Sequence, residues 1–102
     1  MRSLISDNQV CVICGTTYWL EKHHVYGASN RNKSEEDGAW CYLCHNHHTG
    51  SRHSVHMDAE MAWKLKEYTQ RKWMERYGKT EEDFRKRYGR SYLQNTDETT
   101  EP

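Results

Sequence analysis

Residues 40–48 read Trp40-Cys41-Tyr42-Leu43-Cys44-His45-Asn46-His47-His48. An aromatic and apolar run ends in a cysteine, and three imidazoles follow within four residues. Short runs rich in aromatic and apolar side chains, bounded by polar loops, read as strands, so Ala39 to Leu43 is predicted as a strand with Cys44 at its end. A donor at a strand end can meet donors from elsewhere in the chain. Upstream, residues 27–38 are polar with no apolar period and read as a loop. Before them Tyr18 to Tyr26 mixes aromatic, β-branched and long side chains, which predicts the first strand of a hairpin carrying His23 and His24. Still earlier, Cys11 to Gly15 reads as a metal-binding knuckle whose tight turn Gly15 suits.

Downstream the period changes. From Asp58, a plausible N-cap, Met61, Leu65, Tyr68 and Lys72 recur at helical spacing, with Met74 and Tyr77 following and Gly78 as a stop. A second helix is expected from the Thr80 cap, with Phe84 and Tyr88 as its apolar face and Gly89 as its end. Residues 95–102 are polar and acidic without an apolar anchor, and disorder is expected there.

The chain has 102 residues, which predicts one domain spanning 1–94, with a hairpin core at about 11–57 and helices at about 58–90. Only 34% of residues are hydrophobic, little for a fold held by apolar burial alone, so a second staple is expected. Cys11, Cys14, Cys41 and Cys44 form two Cys-x-x-Cys pairs. The longest apolar run, Val10 to Cys14, is too short for a secretory core or a membrane span, which predicts a cytosolic protein without membrane contact. Cytosolic thiols stay reduced, so these pairs read as metal ligands rather than disulfides. Fifteen Lys and Arg balance fifteen Asp and Glu. No global field draws nucleic acid, and the modest excess of basic residues lies in the helical part.

All seven histidines lie between positions 23 and 56. A zinc closed by four protein ligands is structural, whereas a catalytic metal keeps positions open. Four cysteines around one zinc would leave every histidine unexplained, so two sites are more economical than one. Residues eight apart on one straight helix are about 12 Å apart along its axis, so His48 and His56 can share a metal only if the chain bends between them. Thr49-Gly50-Ser51 supplies such a break, with His53 as an alternative donor.

His23-His24-Val25 on the first strand resembles the paired acid-or-histidine, histidine, β-branched signature of the HNH (ββα-metal, His-Me finger) endonucleases. The second half is similar to that of the family's small phage-encoded, zinc-containing members. There a strand ends in a cysteine, another zinc ligand follows shortly, and the next residue is a metal-binding histidine. The resemblance implies Cys44 and His47 as partners of Cys11 and Cys14 on a structural Zn2+, and His48 as a ligand of a catalytic metal. A second register, Cys41 and Cys44 for zinc with His45 following, is equally literal. The resemblance further implies His23 as metal ligand and His24 as general base, with His56 completing the catalytic site and Mg2+, Mn2+ or another divalent ion in it. The family's middle asparagine is replaced by Gly38 or Ala39.

The fold expected on these grounds is α+β, a small zinc-stapled ββα-metal domain with C-terminal helices. The expected activity is hydrolysis of DNA phosphodiester bonds, with a recruiting protein partner to offset the zero net charge. The alternatives are a non-catalytic zinc-binding module for nucleic acid or protein, and a metal-responsive protein.

Overall fold

The computed structural model describes residues 2–93, so the expected tail at 95–102 lies outside the described residues. Strand β1 (Leu20–His24) pairs antiparallel with β2 (Trp40–Cys44), placing Leu20 opposite Cys44, His23 opposite Cys41 and His24 opposite Trp40. The fold is α+β, with this two-stranded sheet followed by two helices. Strand β1 is shorter than the predicted 18–26. Trp19 adopts φ +57° and ends it on one side, and Ala28, at φ +52°, enters a 3-10 turn after the other. Both lie in the left-handed region, outside the extended range a ladder needs.

The segment expected as a loop contains helix α1 (Arg31–Asp37), closed by Gly38 in the left-handed conformation. No apolar stripe announces it, because its one buried side chain is Ser34, whose hydroxyl donates to the Ala39 carbonyl. Polar links to the C-terminal part dock it instead. Asp37 accepts from Trp73 Nε1 at 2.8 Å, Arg87 Nε at 2.7 Å and the Tyr88 hydroxyl at 2.7 Å. Asn30 and Lys33 donate to the carbonyls of Tyr88 and Arg87. Periodicity detects helices that bury hydrocarbon, and this one buries hydrogen bonds.

Helix α2 (Ala59–Tyr77) starts at Asp58, whose side chain accepts from Met61 N, and stops at left-handed Gly78. Its inward row is Leu65, Thr69, Trp73 and Tyr77, spaced by four. Tyr68, expected on that face, is 46% exposed beside Lys72, because the i, i+4 ridge ending in Trp73 and Tyr77 turns it outward. Helix α3 (Glu81–Tyr88) carries the Thr80–Asp83 capping box and ends at Gly89, with Phe84 and Tyr88 buried as expected. Two apolar clusters result. The larger joins Leu4, Val25, Tyr26, Ala39, Trp73, Phe84 and Tyr88, and the smaller is largely cysteine: Cys11, Cys41, Leu43, Cys44 and Val55. No helix among the described residues is long and apolar enough to cross a membrane.

Candidate metal centres

The smaller cluster is where hydrocarbon is scarce, and there the chain gathers Cys11, Cys14, Cys44 and His47, with donor atoms all within 4.8 Å of one another. Cys14 Sγ lies 3.8 Å from Cys44 Sγ, and His47 Nδ1 lies 3.7 Å from Cys11 Sγ and 3.2 Å from Cys44 Sγ. Tetrahedral zinc with its usual bond lengths would space such ligands about 3.5 to 3.8 Å apart. Three thiolate sulfurs and one imidazole therefore fit zinc in both chemistry and spacing. The knuckle is shaped by Gly15, at φ +79°, whose N–H returns to the Cys11 carbonyl, and Val12 N donates to Tyr42 O to fasten it to β2. Burial would raise the Cys11 thiol, but backbone N–H groups of Cys44, Cys14 and Ile13 outweigh it and bring the pKa down to about 6. Such a thiol is readied for a cation.

The second group is His23, His48 and His56, whose donor atoms also fall within 4.8 Å of one another. Ring centroids are 5.1 Å apart for His23 and His48, 5.7 Å for His23 and His56, and 5.0 Å for His48 and His56. The bend required between His48 and His56 is present. A π-type turn at Asn46–Gly50 ends at extended Ser51, and Val55 N then donates back to the His47 carbonyl. A Cβ on Gly50 would sit 2.5 Å from His45 Cδ2 and 3.0 Å from His45 O, so the turn closes this tightly only with glycine there. Burial, then the charges of His48, His56 and His24, push the His23 pKa down to about 3. Its imidazole is neutral at physiological pH, with a lone pair to offer.

Alternation along β1 divides the remaining chemistry between two faces. Glu21 and His23 share the face toward the π-type turn, where the Glu21 carboxylate accepts from His48 Nδ1 at 2.7 Å and His45 Nδ1 at 3.0 Å. These bonds, His48's first, hold the Glu21 carboxyl below the usual range. Lys22 and His24 share the other face, toward α1. There Glu35 meets His24 Nε2 at 2.6 Å and Lys22 Nζ at 3.0 Å, and both bonds lower its pKa, that to His24 more. Although the side chains point oppositely, Lys22, His23, His24, Arg31, His48 and His56 all line one cleft of about 310 Å³.

The same period of two explains Cys41. Three residues from Cys44 on a strand, it faces the opposite side and lies outside the four-donor group, fully buried, its thiol pushed up to about 12 by that burial. His45 stacks on Trp19 and binds Glu21 rather than joining either group, and His53 is an exposed loop residue. Glu21 and Glu35 were not among the residues singled out from sequence. For Glu21 a signal existed, since it stands two residues before His23 and so on its face. For Glu35 there is none, because α1 has no apolar period to announce it. No protein-family model, curated protein or solved structure matches the chain.

Proposed function

We propose that this chain is a metal-dependent endonuclease of the HNH (ββα-metal) type that hydrolyses DNA phosphodiester bonds. The observation that carries the reading is the segregation of donors: a four-donor Cys3His group at the knuckle and a separate three-histidine group on a cleft also lined by His24. Closed sets of four suit structural zinc, and three-ligand sets leave room for substrate. Bound by His23, His48 and His56, a divalent ion would supply Lewis-acid polarisation of a phosphoryl oxygen. An all-imidazole set favours Zn2+ or a similar late first-row ion, with Mn2+ bound more weakly, over Mg2+, which prefers oxygen ligands.

The chain's own residues supply the rest. His24, with Nε2 occupied by Glu35, keeps Nδ1 free to accept a proton from attacking water. Arg31 lines the cleft together with Lys22, whose ammonium is shared with Glu35, and a guanidinium there suits the negative charge of a phosphodiester. The test is plasmid cleavage by wild type and His24→Ala with Mn2+, Zn2+ and Mg2+ added in turn. Loss of a general base slows cutting by about 100- to 10,000-fold, with the Cys3His zinc retained. Wild type that binds DNA and never cuts it with any of these ions would end the nuclease reading.

A second reading, a non-catalytic zinc-binding interaction module, is favoured by an apolar groove beside the knuckle, lined by Ile5, Val12, Ile13, Met61, Leu65 and Tyr68. Metal stoichiometry separates the two. One tightly held zinc per chain supports the module, and one zinc plus an exchangeable ion supports the nuclease.

A further inference from the structure

Immediately before β1 stand two aromatic residues that contribute little to the core: Tyr18 is 80% exposed and Trp19 74%. Trp19 also sits at φ +57°, a backbone conformation unfavourable for a residue with a bulky side chain. Exposure of the largest apolar side chain and a left-handed backbone are two costs at one residue, and burial returns little against either.

The indole is nevertheless held in one orientation. One face stacks on the His45 ring, with centroids 5.0 Å apart and planes inclined by 27°, and His45 N donates to the Trp19 carbonyl at 2.9 Å. His45 is in turn fixed by Glu21, the carboxylate that also binds His48 of the three-histidine group. A backed, exposed indole is thus tied through two side chains to the proposed reaction centre. We infer that Trp19, with Tyr18 beside it, is a stacking platform for an unpaired nucleobase of single-stranded DNA, placing the backbone of that strand at the cationic cleft.

The substrate class rests on the nuclease reading, and the geometry narrows it. Every base has a π-face, so an aromatic platform holds single strands without regard to sequence, whereas in a duplex those faces are already stacked. A pre-oriented ring also loses less conformational entropy on binding than a mobile one. The cleft's Arg31, with Lys22 held beside Glu35, adds the backbone attraction that such platforms are paired with.

The experiment uses the full zinc-loaded chain without added exchangeable metal, so that binding is read without turnover. Affinity for a labelled oligothymidylate of about twelve nucleotides, and for a hairpin duplex with as many phosphates, is measured by fluorescence anisotropy. Trp19→Ala is expected to raise the single-strand Kd about 10- to 100-fold, with the duplex Kd changed less than about threefold. Trp19→Phe, which keeps a ring, should retain most of the affinity but lose the quenching of tryptophan emission that wild type shows on binding. Unchanged zinc content and melting temperature certify the fold of each variant. Should Trp19→Ala fail to fold, the Trp19→Phe quench and a weakened single-strand Kd in Tyr18→Ala decide instead. Wild-type affinity in Trp19→Ala, an equal loss for single strand and duplex, or no single-strand preference in wild type overturns the platform. Trp19-dependent binding by a chain that never cuts DNA would keep the platform and reject the nuclease. Cutting with Trp19-independent binding would do the reverse.

Discussion

Glu21 Oε1 lies 2.7 Å from His48 Nδ1, so a strand carboxylate sets the tautomer of an imidazole on the following turn and leaves its Nε2 lone pair exposed. Replacing such a carboxylate partner commonly weakens metal affinity by about 10- to 100-fold. Glu21→Gln should therefore lose that much Mn2+ affinity at the three-histidine group and keep its zinc. Titration calorimetry of the zinc-loaded protein measures it, and unaltered Mn2+ affinity would remove Glu21 from the site.

Zinc is expected to be part of the fold rather than an addition to it. Cys11→Ser and His47→Ala should each release zinc and abolish the cooperative melt, because the cysteine cluster replaces hydrocarbon in the smaller core. Cys41→Ala should keep its zinc and melt somewhat earlier, as a buried thiol lost from a packed core. Colorimetric zinc release alongside thermal unfolding distinguishes these outcomes, and zinc loss from Cys41→Ala would contradict the strand alternation that excludes it.

On the proposed nuclease reading, Glu35 would position His24 through its bond to Nε2 rather than touch the substrate. Glu35→Gln should lower kcat about tenfold, less than the loss in His24→Ala, with KM and metal content nearly unchanged. A KM effect of equal size would mean that Glu35 serves binding, through Lys22, rather than orientation of the imidazole.

Asp37 is expected to be the most sensitive polar residue outside the metal groups. It is largely enclosed and takes hydrogen bonds from Trp73, Arg87 and Tyr88. Asp37→Ala leaves those donors short of a partner and should cost about 2 kcal/mol or more, lowering the melting temperature by about 10 °C. A shift within error would mean that α1 is held by its other contacts.

What could be read from sequence follows the physics of each signal. Cys11, Cys14, Cys44, His47 and the histidine triplet stand out because their side chains bind metals and little else explains so many together. The Thr80 box and Gly78 act through local backbone chemistry, which sequence displays directly. Glu35 gives no such signal, since a carboxylate's role as partner to an imidazole depends on what folds against it, whereas Glu21 is marked only by sharing the His23 face of the strand. Helix α1 is hidden because its anchors, Asp37 to Arg87 and Asn30 to Tyr88, span fifty residues or more. Tyr68 was misplaced by one position of helical phase, an error that only the location of Trp73 corrects.

Helix α1 carries Glu35, and two residues later Asp37 moors it to α2 and α3. The aim of His24 is consequently inherited from α2 and α3, which contribute no donor to either metal group. A transplant of residues 11–57 into another scaffold would convey every candidate ligand and forfeit the bracing that points His24. The unit to exchange, shorten or redesign as a whole therefore extends through α3, since the C-terminal helices brace α1 and α2 borders the histidines through Ala62 and Lys66.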